Sequence, residues 1–180
     1  TKAIASGRVS GLKGFGEKSG QNILKGIEFL KKFAGRFLLG SILSETRIIE
    51  KRLKQVKEVQ ALDVAGSVRR RKETIGDVDF LAISEKPQLV MDYFIHMPEV
   101  DHILANGETK SAVKLKNGLE IDLRVVEPKS YGAALNYFTG SKDHNIALRE
   151  IAIKKGWKLN EYGLFDIKGK QLAGKTEQEL

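Results

Sequence analysis

Leu62-Asp63-Val64-Ala65-Gly66-Ser67-Val68-Arg69-Arg70-Arg71 and, a few residues on, Gly76-Asp77-Val78-Asp79-Phe80-Leu81-Ala82-Ile83 form the stretch from which the architecture can be read. Leu62–Ala65 predicts a strand running into Gly66-Ser67, and Asp77–Ile83 predicts a second strand ended by Ser84. Residues two apart on a strand point to the same face, so the carboxylates of Asp77 and Asp79 lie side by side. Like charges so placed repel and lose hydration unless a cation neutralises them. Hard oxygen ligands of this kind suit Mg²⁺, which keeps positions open for water and substrate phosphates. An acidic pair alone is more often the mark of a solvated strand edge; its surroundings make the difference. Gly66 lets backbone amides approach an anion, Ser67 adds a donor, and Arg69-Arg70-Arg71 supply guanidinium forks that match phosphate geometry. Carboxylates for a metal and donors for phosphates thus fall together, a combination suited to a metal-bound nucleoside triphosphate.

Toward the C-terminus, Pro87 can open a short helix through Leu89, Val90, Tyr93 and Phe94. Two strands, about Thr109–Leu115 and Leu119–Val126, flank Asn117-Gly118, a strong hairpin signal. A strict two-residue loop would set Val113 beside Asp122 and mix the faces, whereas a three-residue loop with a glycine bulge pairs Val113 with Ile121; the bulged form is expected. Asp122 then lies on a strand that, if it neighbours the Asp77 strand, brings three carboxylates together. Such a triad can hold two cations, as in-line displacement at phosphorus requires. Beyond Pro128, Ser141 is an N-cap for a helix containing Ala147, Leu148 and Ile151 that ends at Lys154-Lys155-Gly156, and a small strand pair should follow within Lys158–Phe165.

Toward the N-terminus, Gly14 and Gly16 flank Phe15 in a tight turn that opens a helix from about Glu17, with Ile23, Ile27 and Leu30 on one face and Lys18, Lys25 and Lys32 partly off it. Phe37–Val59 has the spacing of one long amphipathic helix. Residues 1–60 hold 13 Lys or Arg against 5 Glu, so the whole formal net charge of +8 falls in the first third of the 180 residues, which favours a polyanionic partner there. Apolar residues, 41% of the chain, come in short stretches far from the roughly 20 that a membrane span requires. They recur at helix and strand spacing throughout, which argues against disorder. Without cysteine there is no disulfide, thiolate nucleophile or Cys-based zinc site, and without a signal sequence the expectation is cytoplasmic. The start at Thr1 and the end at Glu179-Leu180 suggest a segment of something longer. His96, His102 and His144 share no ligand spacing and read as surface or capping residues; Trp157, Tyr162 and Phe165 read as core of the last part.

Gly66-Ser67, nine residues and then Asp77-Val78-Asp79 resembles the nucleotidyltransferase signature of family X DNA polymerases, the group containing DNA polymerase beta. Tyr137-Phe138-Thr139-Gly140-Ser141 with Asn145 and Arg149, and Leu159-Asn160-Glu161-Tyr162-Gly163-Leu164-Phe165, are similar to further motifs of that family in the same order. The resemblance covers the chain from about Gly11 to its end. It implies that Asp77 and Asp79 bind two Mg²⁺ ions, with Mn²⁺ as an alternative, and that Asp122 binds the one activating a primer 3'-hydroxyl. It implies that Ser67, Arg70 and Gly76 contact the β and γ phosphates of the incoming nucleotide. Tyr137, Phe138 and the turn at Gly140 would pack on its sugar, Asn145 on its base edge, Arg149 near the templating nucleotide, and Arg124 would orient an active-site carboxylate, with Gly66 in support. Gly14-Phe15-Gly16 resembles the hairpin of a helix-hairpin-helix element, with backbone amides and Lys18 facing a DNA phosphate.

The chain departs from the family in two places. Glu120 stands where polymerase beta-like members carry arginine, and Lys142 replaces an acidic residue, with His144 pointing to the bacterial and archaeal branch. Nothing resembles the family's lyase subdomain or its C-terminal polymerase-and-histidinol-phosphatase domain. The expectation is an α+β protein: a nucleotidyltransferase palm with a mixed β-sheet (61–127), preceded by a helical DNA-binding or fingers part (1–60) and followed by a small α/β nucleotide-binding subdomain (128–180). Its expected work is gap-filling, template-directed DNA synthesis in repair, as a nucleoid-associated monomer using gapped or primer-template DNA and dNTPs, with no membrane partner. A template-independent or ribonucleotide-using transferase, and a non-catalytic gapped-DNA-binding module, are the alternatives.

Overall fold

The computed structural model describes residues 2–9, 11–33 and 35–180, apart from the side chains of Ala5 and residues 28–33. The chain divides into two compact units, 1–36 and 37–180. In the first, a one-turn helix α1 (Lys2–Ala5) precedes helix α2 (Glu17–Phe33). Gly14 turns the chain at φ +90°, a conformation glycine adopts without strain, and α2 then begins with Glu17 in its first turn, where a carboxylate favours the helix dipole. Gly20 of α2 is buried, and a Cβ there would come within 3.2 Å of the Ile4 side chain. Leu30 and Lys32 of the predicted pattern have side chains outside the described residues.

The second unit is built on a five-stranded sheet. In chain order its elements are β1 (Phe37–Leu38), α3 (Leu39–Lys54), β2 (Ala61–Val64), α4 (Gly66–Arg69), β3 (Thr74–Ile75), β4 (Asp77–Ile83), α5 (Pro87–Ile95), β5 (Val100–Asn106), β6 (Lys110–Leu115), β7 (Glu120–Val126), α6 (Tyr131–Thr139), α7 (Lys142–Lys154), β8 (Lys158–Asn160), β9 (Gly163–Phe165) and β10 (Gln171–Ala173). The sheet runs β2-β4-β7-β6-β5; β4 and β7 are parallel and the other pairs antiparallel, so the sheet is mixed. β8–β10 form a separate three-stranded sheet, and β1 pairs with β3.

Strand alternation sorts the two faces. On β4, Val78, Phe80 and Ala82 are buried, as are Ile121, Leu123 and Val125 on β7. They pack with Ile42, Ile49 and Leu53 of α3 and Val90, Met91 and Phe94 of α5 in the main core. Burying one aliphatic or aromatic side chain stabilises by about 1.5–3 kcal/mol, so this layer dominates the unit's stability. The opposite residues, Asp77, Asp79 and Leu81 on β4 and Glu120, Asp122 and Arg124 on β7, face the other way. There a smaller cluster of Ala65, Leu81, Ala134 and Leu135 covers only the C-terminal half of β4, and the acids stay beyond it.

The hairpin takes the bulged register: Val113 pairs with Ile121, and Leu115 N–H donates to the Leu119 carbonyl across the Asn117-Gly118 turn. Other expectations change. The long helix predicted over 37–59 spans only Leu39–Lys54, because Phe37-Leu38 pairs with Ile75-Thr74; Val56 and Val59 reach the core from a turn instead. Tyr162, read as core, is 58% exposed, while Trp157 and Phe165 are partly buried. Among the elements that escape the sequence reading, three bear on the sheets and the site. β5 is exposed along nearly its whole length, so it carries no alternation to detect. α6 buries the small residues Gly132, Ala133 and Ala134, and β10 pairs through an irregular register. Among the described residues no helix is long and apolar enough to cross a membrane.

Candidate active site

β4 and β7 lie in register, Asp77 beside Glu120 and Asp79 beside Asp122. Strand periodicity puts all four carboxylates on one face, so the two-residue spacing read from the sequence becomes a two-by-two array. Asp77 and Glu120 are exposed, Asp79 and Asp122 partly buried. Burial, and then the charges of Asp77 and Asp122, push the Asp79 carboxyl up to about 6, against the opposing pull of Arg124 and Lys110. Asp122 is held by Lys110, whose Nζ lies 2.9 Å from its Oδ2. Glu120, standing where arginine was expected, meets Lys114 at 3.5 Å.

Gly66 is required by Asp79. At φ +58° it opens α4, and a Cβ on it would stand 1.9 Å from Asp79 Oδ2, so the carboxylate lies directly over bare backbone. The Ala65 amide donates to the Asp79 carbonyl at 2.8 Å, tying α4 to β4. Ser67 and Arg70 follow. Ser67 Oγ and Arg70 Nε are both buried with no protein hydrogen-bond partner, although Arg70 Nη1 donates to the Thr139 carbonyl. A buried polar atom without a partner is costly, and two such donors one helical turn apart mark a place for an acceptor-rich ligand. Gly76 forms the bend that leads from β3 into Asp77.

The predicted nucleotide-side residues gather at the end of α6. Tyr137 and Phe138 meet edge to face with centroids 5.1 Å apart, and the Arg124 guanidinium sits 4.4 Å from the Phe138 ring centre. Arg124 therefore stands between the aromatic pair and the acidic array. Gly140 caps α6 at φ +69°, its bond to Ser141 is cis, and a Cβ on it would crowd Arg70 Nη1 at 3.2 Å. Ser141 caps α7 as predicted, accepting from the His144 amide. The Asn145 amide donates to the Tyr137 carbonyl at 2.7 Å, and Arg149 is exposed one turn further along α7. These groups all belong to the second unit; Gly14, Phe15, Gly16 and Lys18 belong to the first, where all four are exposed.

Three contacts were not foreseen. Lys110 could have been found, since the predicted bulged register pairs Ala112 with Asp122 and puts Lys110 two residues along the same face. Arg69, read only as one of three arginines, makes a bidentate pair with Glu177 at 2.7 and 2.6 Å and donates to Thr139 Oγ1. Tyr131 donates to Asp63 Oδ2 at 2.7 Å, and burial and that bond raise its hydroxyl pKa. Long-range pairs of this kind carry no local sequence signal.

The acids fit a divalent cation in donor chemistry, three hard carboxylates on one face with a carboxyl group already destabilised by its neighbours. Among the described residues no three Asp, Glu or His side chains surround one point as a metal cage, and Asp122 is occupied by Lys110.

Residues 134–180 match the DNA polymerase beta thumb family. The chain is 36% identical over 165 residues to the DNA polymerase/3'-5' exonuclease PolX of Bacillus subtilis, covering 91% of this chain and 29% of that protein. It is 34% identical over 108 residues to a repair DNA polymerase X of African swine fever virus, covering 56% of this chain and 61% of the viral protein. The chain thus spans under a third of the bacterial relative and about three fifths of the viral one.

Proposed function

We propose that this chain, which belongs to the family X DNA polymerases, carries the palm and nucleotide-binding parts of a template-directed polymerase that fills short gaps during DNA repair. The observation that carries the reading is the placement of Asp79 and Asp122 in register on adjacent strands, beside two buried donors, Ser67 Oγ and Arg70 Nε, that have no protein partner.

Asp77 and Asp79 would hold two Mg²⁺ or Mn²⁺ ions and Asp122 the one nearer the primer. When bound, such ions lower the pKa of the primer 3'-hydroxyl and neutralise charge at the transferred phosphoryl group. The rest of the work is positioning. Ser67 and Arg70 donate to the outer phosphates of the triphosphate, with the Gly76 backbone alongside. Tyr137 and Phe138 bear on the sugar and exclude a 2'-hydroxyl at the Gly140 turn. Asn145 reaches the base edge and Arg149 the templating nucleotide. Arg124, between Phe138 and the acids, orients Asp79. The hairpin Gly14-Phe15-Gly16 and Lys18 hold a DNA phosphate, so that the helical part, the palm and the nucleotide-binding part divide the work near residues 60 and 127. Acting on chromosomal DNA, the protein would be found with the nucleoid.

Single-nucleotide incorporation on a one-nucleotide-gapped duplex with Mg²⁺ tests the reading. Templated dNMP addition, disfavouring ribonucleotides and abolished in Asp77→Asn and Asp79→Asn with the fold intact, is expected. Activity persisting in those variants would overturn it; equal use of ribonucleotides would point to another nucleotidyltransferase.

A further inference from the structure

β6 places three side chains along the acids of β7. Lys114 stands opposite Glu120, Ala112 opposite Asp122 and Lys110 opposite Arg124. Ala112 has only a methyl group to offer Asp122, although facing residues across a strand pair ordinarily interact more closely than diagonal ones. Lys110 cannot settle on its direct neighbour, since Arg124 is also cationic and is itself drawn to Phe138. Its long chain therefore turns back diagonally, over the space that Ala112 leaves, and its ammonium lies 2.9 Å from Asp122 Oδ2. Glu120, beside Asp122 on the same face, is itself an acid that Lys114 meets, and Lys110 is the cation that pairs with Asp122.

We propose that Lys110 is a positioning residue for Asp122: its ammonium holds the carboxylate oxygen that a divalent cation would take, and such a cation must displace it to bind. The inference rests on reading Asp77, Asp79 and Asp122 as metal ligands. The pair is partly exposed, 41% for Lys110 and 26% for Asp122, so it is weak enough for a doubly charged ion to break. Its presence spares Asp122 an unbalanced charge beside Asp79 until that ion arrives.

Electron paramagnetic resonance of Mn²⁺ added to the protein without DNA or nucleotide tests this. Wild type should bind Mn²⁺ in a way that Asp122→Asn weakens. Lys110→Met and Lys110→Gln, both folded by circular dichroism, should bind it about fivefold more tightly, the scale of a partly exposed ion pair. Lys110→Arg, which keeps the charge, and Lys114→Met, which removes a charge from the same strand beside Glu120, should stay within about twofold of wild type. Unchanged or weaker binding in both neutral Lys110 variants overturns the proposal, as does an equal shift in Lys114→Met. Absence of any Asp122-dependent Mn²⁺ binding in wild type overturns the metal-ligand reading beneath it and the Lys110 role with it.

Discussion

Asp79 carries the site's electrostatic tension. Its carboxyl titrates near 6 in the fold, against roughly 4 in an unfolded chain. Between those values the native state binds more protons than the unfolded one, so stability falls as pH rises from about 4 to about 6 and stays lower above, by on the order of 2 kcal/mol. Asp79→Asn should therefore unfold at a higher temperature than wild type at pH 8 in EDTA, with the gap closing near pH 4; a calorimetric scan at the two pH values measures it. Gly66 answers to the same carboxylate. Gly66→Ala puts a methyl group where Asp79 Oδ2 lies, so the chain must move or the carboxylate must turn away. Nucleotide incorporation should fall about a hundredfold, since a displacement near 1 Å at a reacting centre has that effect. The need for Asp-Val-Asp and for Gly66-Ser67 was legible in the sequence because both are local. That the glycine exists to admit Asp79 was not, because twelve residues lie between them.

At the scale of elements, α4 and α6 are bound to the end of the chain. Arg69 of α4 grips Glu177 with both guanidinium nitrogens and touches Thr139 of α6, while Glu179 accepts from the Gly174, Lys175 and Thr176 amides, which lowers its pKa. Gly132 of α6 lies so close to Thr176 that a Cβ would meet its backbone at 2.1 Å. The segment 174–177 thus straps α4 to the first turn of α6, and Arg69 reaches the aromatic end of α6 through Thr139. Lysine keeps the charge at Arg69 but cannot make the fork. Arg69→Lys should lower the urea midpoint by a shift worth up to about 1 kcal/mol, and should raise KM for dNTP more than it lowers kcat. The hairpin register was predictable because burial alternates with period two and only the bulged turn keeps both strands in phase. β5, exposed on both sides, and α6, made of small residues, offered no such periodicity.

Across the whole molecule, charge and core are separated. Residues 1–36 hold 8 Lys or Arg against 2 Glu, a surplus of 6 out of the net +8, whereas residues 37–180 contain the main core and the acidic array. Residues 37–180 alone should keep a cooperative thermal transition but bind gapped duplex more weakly at low salt, with a shallower dependence of log K on log salt. Fluorescence anisotropy across 50–200 mM salt measures the slope, and an unchanged slope would remove the first unit from the DNA contact. Periodicity, turn chemistry and short motifs make β2, β4, β6, β7 and α7, the α+β character and the proposed acids and phosphate donors legible, since each depends on neighbours within a few residues. The parallel pairing of β4 with β7 and the Arg69–Glu177 strap depend on residues up to 108 positions apart being brought together in the fold. Side chains that meet only after distant elements have packed leave no mark in the local order of residues, whereas the lysines that meet the acidic array lie on the hairpin the sequence does predict.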